Sequence, residues 1–100
     1  MATYNLSPEA VEDLADIWWY VARDSIDAAD RLQHLIYAKF DLLAEFPPIG
    51  FARPGLGENL RKFPVKNYII YYAPTEIGIR VVRVLHVARN IKAVFRGEEF

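Results

Sequence analysis

The sequence of 100 residues contains no cysteine and only two histidines, His34 and His86. Without cysteine the chain has no disulfide bond, no thiolate metal site and no cysteine nucleophile. The two histidines lie far apart and have no second soft ligand nearby, so we expect neither a metal nor another cofactor. A glycine-rich phosphate-binding loop and a nucleophile elbow are also missing from the sequence, which argues against nucleotide binding and acyl transfer through those motifs.

Long hydrophobic runs are missing as well. The longest runs, such as 68–73, are far too short to cross a bilayer, and no basic segment followed by an apolar stretch indicates a signal peptide. We therefore expect a cytoplasmic protein without membrane contacts. The composition, with 53% hydrophobic and 25% charged residues, is typical of soluble globular proteins. The length predicts a single domain over 1–100.

The charges are divided unevenly along the chain, although the net charge is only −1. Residues 1–50 contain nine acidic and three basic residues, whereas residues 51–100 contain four acidic and nine basic residues. This asymmetry favours a basic surface that meets an anionic partner, either nucleic acid or an acidic protein segment. The alternative is an internal arrangement in which acidic helices lie over the edge of a basic sheet.

The first half of the sequence predicts a strand followed by a helical hairpin. A weak alternation indicates the strand at 2–6, and the serine–proline pair after it provides a cap and a first helical residue for a helix over 8–23. After a polar interruption, Ser25 or Asp27 caps a second helix. That helix runs to about Phe46, because the two prolines that follow cannot continue it.

The second half predicts a loop followed by strands. The segment 47–59 is rich in proline and glycine and predicts a long loop. Strands are expected over 60–65, 68–73 and 79–86, with short turns between them, and a short closing helix over 90–96. Together these elements predict an α+β fold, in which the helical hairpin packs on one face of an antiparallel sheet that contains a β-meander.

The helical periodicity predicts which large side chains are buried. At about 100° per residue, Trp18 lies at the centre of the apolar stripe of the first helix and Trp19 lies at its border. Ile17 and Tyr20 fall outside this stripe, and Tyr37 points away from the corresponding stripe of the second helix. These three residues indicate a protein-binding surface, although single apolar residues on outer helix faces are common and mostly have no function.

The strands predict a basic surface on the sheet. If the alternation along the strands is regular, the face that the helices leave open carries Val81 and Leu85 around Arg83, with Arg61 and Arg89 nearby. Such a surface suits nucleic acid, or an acidic peptide that adds a strand to the sheet. It is equally compatible with a solvated rim that has no function.

His86 is the natural candidate for acid–base chemistry. Arg83 or Arg89 would then stabilise a developing negative charge on a phosphate. No second acid–base group is evident from the sequence beside His86, and a lone histidine at the end of a strand is more often structural.

Five segments of the sequence resemble one family when they are taken together and in order. They are LSPEAVEDLADIWWYVARD at 6–24, AADRL at 28–32, IGFARPGL at 49–56, LRKFPVKNYIIYY at 60–72 and VVRVLHVARNIKAVF at 81–95. Their order and spacing are similar to those of the ParE toxins of the RelE/ParE superfamily, and the last two segments are the most specific. The similarity covers nearly the whole chain.

The resemblance implies a toxin of a type II toxin–antitoxin system with the α+β fold expected above. In that family a ParD-like antitoxin neutralises the toxin by wrapping its C-terminal segment around the helical hairpin and the sheet. Characterised ParE toxins act on DNA gyrase and block replication, whereas RelE relatives cleave messenger RNA on the ribosome. The cleaving relatives typically use a late tyrosine, and the corresponding position here is Phe95, which has no proton to exchange.

The resemblance also implies roles for the basic residues. Arg61, Arg83 and Arg89 are expected to bind an anionic target without chemistry and to support toxicity. In the alternative of a RelE-type endoribonuclease, His86 would act together with Arg83 and Arg89.

The hairpin residues outside the predicted stripes gain a specific role from the resemblance. Ile17, Tyr20 and Tyr37 are expected to form part of the surface that the antitoxin covers. A third alternative, which the sequence leaves open, is a toxin-like domain that has lost its activity and only binds its partner.

Overall fold

The computed structural model describes residues 2–57, 59–89 and 94–95. The chain forms, in order, β1 (Thr3–Leu6), α1 (Pro8–Ala22), α2 (Ile26–Glu45), a 3-10 turn (Pro47–Ile49), β2 (Phe51–Ala52), β3 (Arg61–Val65), β4 (Tyr68–Thr75) and β5 (Gly78–His86). In these described ranges, no helix is both long enough and apolar enough to cross a membrane.

The two helices begin and end at local signals. The Ser7 hydroxyl accepts a hydrogen bond from Ala10 N–H at 2.9 Å, and the Ser25 hydroxyl accepts one from Ala28 N–H at 3.1 Å. These caps satisfy amides that the first turn of a helix leaves without a partner. α2 ends at Glu45, shortly before the proline pair. The predicted boundaries of both helices are confirmed to within one or two residues.

The five strands form one sheet in the order β1-β5-β4-β3-β2. The pairs from β2 to β5 are antiparallel, which confirms the predicted meander and adds the short strand β2 inside the predicted loop. β1, however, runs parallel to β5, with Thr3 opposite Gly78, so the sheet is mixed and the prediction of an antiparallel sheet is wrong at this edge. The alternation of apolar and polar residues along a strand shows which residues share a face of the sheet, but it does not show whether the neighbouring strand runs parallel or antiparallel. Glycine is required at position 78, because a Cβ atom there would lie 1.7 Å from the Thr3 carbonyl oxygen.

A β-bulge interrupts β5. Successive residues of β4 lie opposite Val81 and Arg83, so Val82 has no residue opposite it. The extra residue reverses the alternation of side chains along the strand. Val81 and Leu85, which regular alternation predicts on one exposed face, therefore belong to clusters on opposite faces, and both are buried.

α1 buries a different stripe from the predicted one. Ala10, Leu14 and Ile17 are in the core, whereas Trp18 is half-buried and Trp19 is 69% exposed. The predictions of Trp18 as the core anchor, Trp19 as a border residue and Ile17 as an outer residue are therefore wrong. The helix carries two adjacent apolar stripes, and periodicity alone does not show which of them meets the sheet.

α2 packs beside α1 on the same face of the sheet. It contributes Ile36, Phe40 and Leu43 to the core. The ring of Tyr37 lies 5.3 Å from that of Phe40 and 6.5 Å from that of Tyr4 on β1. Tyr37 is therefore half-buried against the core, and the prediction that it points away is wrong.

The other face of the sheet is covered by the chain itself. Its buried side chains are those of Leu60, Tyr71 and Leu85. Val94 and Phe95 pack on this cluster, with the Phe95 ring 5.4 Å from that of Tyr71. The described elements end with β5 and include no closing helix. Of the segment 90–96, for which that helix was predicted, Val94 and Phe95 have a helical backbone and the other residues lie outside the described residues.

Candidate partner-binding site

An open cleft of about 920 Å³ lies between the hairpin turn and one end of β4 and β5. Its apolar side includes Ile17 of α1 and Tyr68 of β4. Basic side chains line the sheet side, namely Lys66, His86 and Arg89. The cleft therefore combines an apolar wall with basic side chains on its sheet side, while Asp13 and Asp16 line its α1 side. Its sheet side suits a partner that has both apolar and acidic groups.

Tyr20 stands exposed at the edge of this cleft. It retains 63% of its accessible surface, and the Arg23 guanidinium lies 4.9 Å from the centre of its ring. Tyr68 lies deeper, where burial raises the pKa of its hydroxyl and the neighbouring Tyr20 adds to the rise. The cleft thus presents one exposed and one buried tyrosine ring to a partner.

His86 ends β5 and lines the cleft. Its ring lies edge-to-face with that of Tyr68, 5.5 Å between centres. Its Nδ1 accepts a hydrogen bond from Ala88 N–H at 3.1 Å, so the proton of the neutral imidazole lies on Nε2. The fold also places Lys66 in the same cleft. Sequence analysis did not identify Tyr68 or Lys66 as neighbours of His86, because they lie at the turn between β3 and β4, which is far from His86 in sequence. Only the antiparallel pairing of β4 with β5, which places Tyr68 opposite His86, brings them together.

Arg83 forms an ion pair with Asp13 between the sheet and α1. Its Nε and Nη2 donate to the two carboxylate oxygens at 2.8 and 2.9 Å, and Val84 N–H donates to Oδ2 at 3.0 Å. The two side chains retain only 20% and 9% of their accessible surface. The sequence analysis did not predict a site role for Asp13, although Asp13 lies on the same face of α1 as the buried residues Ala10 and Ile17.

Arg61 also contacts the chain itself. Its Nη1 donates to the carbonyl oxygens of Gly50 at 2.6 Å and Pro48 at 3.3 Å. In the same region the Tyr72 hydroxyl donates to the Pro47 carbonyl at 2.6 Å and accepts from Gly50 N–H at 2.8 Å. These contacts hold the segment between α2 and β2. Arg61 itself is on β3, which is separated from β5 by β4 in the sheet.

The outer surface of the hairpin exposes large apolar side chains. Val11, Trp19 and Ile26 are 52%, 69% and 60% exposed. Trp18 is held beside them, because its Nε1 donates to Asp30 Oδ1 at 2.9 Å and its ring meets that of Trp19 edge-on. Periodicity placed Trp18 at the centre of the core stripe and Trp19 at its border, and for that reason sequence analysis did not identify this surface as a binding surface.

The structure brings some of the predicted site residues together and separates others. Four of them line the cleft, namely Ile17, Tyr20, His86 and Arg89. Arg83 reaches the cleft wall through Asp13, whereas Arg61 and Tyr37 lie outside it. Among the residues that the structure describes, no group of three or more histidine or acidic side chains could hold a metal ion.

Known proteins match both the sequence and the fold. Residues 4–91 match the family model of the ParE toxin of the type II toxin–antitoxin system parDE. Toxin ParE1 of Caulobacter vibrioides is 31% identical over an alignment of 96 positions, which covers 93% of this chain and 97% of that protein. A chain of the chromosomal ParDE system from P. aeruginosa shares the fold, with a TM-score of 0.70 and 18% identity over 86% of this chain and 96% of that one. The chain therefore belongs to the family of ParE toxins of type II toxin–antitoxin systems.

Proposed function

We propose that this ParE toxin arrests bacterial growth by binding DNA gyrase, and that a ParD-like antitoxin neutralises it by covering the helical hairpin. The observation that carries the proposal is the exposed apolar surface of the hairpin beside the cleft. Several large apolar side chains are exposed on this one hairpin, and an accumulation of such side chains on a small soluble protein favours an interaction site. Family membership supplies the role of toxin.

The hairpin surface supports the contact with the antitoxin. Trp19, Tyr20 and Ile26 are exposed, and aromatic residues of this kind are enriched in protein–protein interfaces. Ile17 would meet the antitoxin as part of the cleft wall, and Tyr37 as a half-buried ring at the edge of the interface. The excess of acidic residues in the first half of the chain favours an antitoxin segment with basic side chains along its outer edge.

Inhibition by binding agrees with the contacts of the arginines. The guanidinium groups of Arg61 and Arg83 hydrogen-bond to groups of the toxin itself, so we assign them the role of holding the fold that toxicity requires. Arg89 is exposed at the cleft, and we assign it a direct contact with an anionic surface of the target. Phe95 packs on Tyr71 and has no proton to transfer.

A RelE-type endoribonuclease is the second candidate. The observation in its favour is the position of His86 beside Tyr68 and Lys66, which together offer an imidazole, a phenol and an ammonium group to RNA. Burial raises the pKa of Tyr68, so its hydroxyl keeps its proton at neutral pH. In this candidate Tyr68 would donate a hydrogen bond, and His86 would have to act as the base.

Induced expression in a bacterium without the antitoxin distinguishes the candidates. Gyrase inhibition predicts growth arrest with filamentation, and the purified toxin should block supercoiling by purified gyrase. Cleaved messages in primer extension, with supercoiling unchanged, would support the endoribonuclease instead. A domain without activity predicts no arrest. Coexpression of a ParD-like antitoxin should restore growth in either active case.

Two arginine variants provide a matched test of the target surface. Arg89→Ala should weaken gyrase inhibition about tenfold, because it removes a charge-assisted contact. Arg80→Ala is the control, since Arg80 is exposed on β5 but bonds Asn5 on β1 at 2.9 Å, away from the cleft. Equal inhibition by the two variants would remove Arg89 from the target surface.

A further inference from the structure

The strand β5 extends beyond its neighbour β1. β1 pairs with β5 only from Gly78 to Val81, whereas β5 continues to His86. From Val84 to His86, no strand in the described part of the chain lies along this side of β5, and the cleft opens there instead. An uncovered strand edge offers backbone donors and acceptors to an added strand.

The hydrogen bonds of β5 show which backbone groups point toward the cleft. In an antiparallel pair, alternate residues direct N–H and C=O away from the partner strand. Val84 N–H points away from β4, because it donates to Asp13, whereas Val87 N–H points the other way and donates to Asn67 O at 2.9 Å. Val84 and His86 therefore both direct their backbone groups toward the uncovered edge.

Two of these four groups already have partners. Asp13 accepts from Val84 N–H, and the His86 carbonyl accepts from Arg89 N–H at 3.0 Å. Within the described residues, the Val84 carbonyl and the His86 N–H make no hydrogen bond. These two groups lie on either side of Leu85. In a parallel pair, one residue of the added strand bonds the carbonyl of the residue before its opposite residue and the N–H of the residue after it. The Val84 carbonyl and the His86 N–H fit that pattern around Leu85. In an antiparallel pair, the added residue would instead bond both the N–H and the carbonyl of one residue, either Val84 or His86.

We propose that an extended segment of the antitoxin adds a short parallel strand to β5, with one residue opposite Leu85 that bonds the Val84 carbonyl and the His86 N–H. This inference rests on the proposed neutralisation by an antitoxin. Side chains of an added strand alternate between two sides, so one neighbour of the anchoring residue would meet the apolar wall at Ile17 and Tyr68. The strand would continue the direction of β1 beyond Ser7, where α1 begins.

The rim of the cleft predicts the chemistry of the same segment. Lys66 and Arg89 are exposed in the lining of the cleft, which also includes His86. A carboxylate beside the anchoring residue would complement the charges of Lys66 and Arg89. The segment is therefore expected to carry a large apolar residue next to an aspartate or glutamate.

A pair of variants at one position tests the strand addition. His86→Pro removes the N–H that the added strand needs, and proline is tolerated at a strand edge where the amide makes no ladder bond. His86→Ala retains the N–H and removes only the imidazole. The dissociation constant of the coencoded antitoxin should be about tenfold higher for His86→Pro than for His86→Ala, as expected for one backbone hydrogen bond and a steric conflict. Equal dissociation constants would overturn the proposal.

Amide hydrogen exchange in the unaltered toxin provides a second test if His86→Pro does not fold. The His86 amide should exchange at least about tenfold more slowly in the antitoxin complex than in the free toxin. The Val87 amide is the internal control, because it is already bonded to Asn67 O. Unchanged exchange at His86 in a complex that still neutralises growth arrest would overturn strand addition alone. A toxin that binds no antitoxin would overturn the proposed function instead, and protection that depends on toxin concentration alone would assign the edge to a second copy.

Discussion

Asp13 and Arg83 join α1 to β5 through two hydrogen bonds of 2.8 and 2.9 Å. The same carboxylate accepts from Val84 N–H at 3.0 Å, so one side chain satisfies a guanidinium and a backbone amide beside the β-bulge. Fork-shaped pairs of this kind are among the stronger hydrogen-bonded contacts in proteins. Because Asp13 also lines the cleft, the pair fixes the position of α1 relative to the proposed antitoxin site.

The first prediction concerns the strength of this pair. Asp13→Ala should lower the free energy of unfolding by about 2–4 kcal/mol, because a mostly buried guanidinium and the Val84 amide lose their common acceptor. Urea denaturation measures the change. Asp16→Ala is the control, since Asp16 is an exposed acid on the same helix and its loss should change stability by less than about 0.5 kcal/mol. Equal stability of the two variants would contradict a stabilising role for the pair.

The second prediction separates fold from toxicity in the arginines. Arg83→Ala should lower the melting temperature by about 10 °C and reduce toxicity in proportion to the lost folded protein. Arg89→Ala should reduce toxicity while the melting temperature stays within about 2 °C of the unaltered toxin. Calorimetry on the purified variants and growth curves at matched toxin levels provide the comparison. If Arg83→Ala is as stable as the unaltered toxin but no longer toxic, Arg83 acts at the target directly.

The positions of the helices and most strands could be predicted because their signals are local. Ser7 and Ser25 cap the helices, the proline pair ends α2, and the Lys66–Asn67 turn separates β3 from β4. The parallel direction of β1 has no such signal, because it depends on contacts between residues far apart in the sequence. The one clue was Gly78, the position at which only glycine allows β1 to approach.

The site was harder to predict for two physical reasons. α1 is apolar over more than one face, so the larger Trp18 and Trp19 were assigned to the core in place of Ile17. The bulge at Val82 reverses the faces of β5 from Arg83 onward, and no single residue in the strand marks it. The buried acid Asp13 would have signalled the correct stripe, because a carboxylate in phase with a core face requires a partner.

The third prediction tests the corrected assignment of α1. Ile17→Ala should destabilise the toxin by about 3 kcal/mol, because Ile17 is 7% exposed in the core. Tyr20→Asp should change the free energy of unfolding by less than about 1 kcal/mol, because Tyr20 is 63% exposed. Tyr20→Asp should nevertheless weaken antitoxin binding by at least about tenfold, since it places a charge in the proposed apolar contact. Calorimetric titration measures the binding, and a Tyr20→Asp toxin that unfolds would contradict the assignment.

The fourth prediction concerns the segment after α2. Tyr72→Phe removes the hydroxyl that joins Pro47 O to Gly50 N–H, and it should cost about 1–2 kcal/mol of stability. Gly50→Ala should cost at least as much, because its Cβ would lie 2.2 Å from the Tyr72 hydroxyl oxygen. The double variant should be less destabilised than the sum of the two, since Tyr72→Phe relieves the closest contact. Additive losses in urea denaturation would show that the two residues act independently.

The last prediction is a loss of stability at alkaline pH. Burial raises the pKa of Tyr4, Tyr68, Tyr71 and Tyr72 above the ordinary value, so these hydroxyls hold their protons more tightly in the folded toxin than in the unfolded chain. Below about pH 10 both states are protonated and these groups cause no pH dependence. As the pH rises through and above about 10, the unfolded state releases protons first, and the free energy of unfolding should decrease.

Tyrosinate absorbance and urea denaturation over the same pH series test this coupling. At least four of the six tyrosines should ionise later in the native toxin than in urea, and the loss of stability should begin where the unfolded chain ionises. Tyr71→Phe removes one of the buried hydroxyls and should make the alkaline slope shallower, because one proton fewer is released on unfolding. Identical ionisation curves in the native and unfolded states would contradict the prediction, since a group with the same pKa in both states cannot change stability with pH.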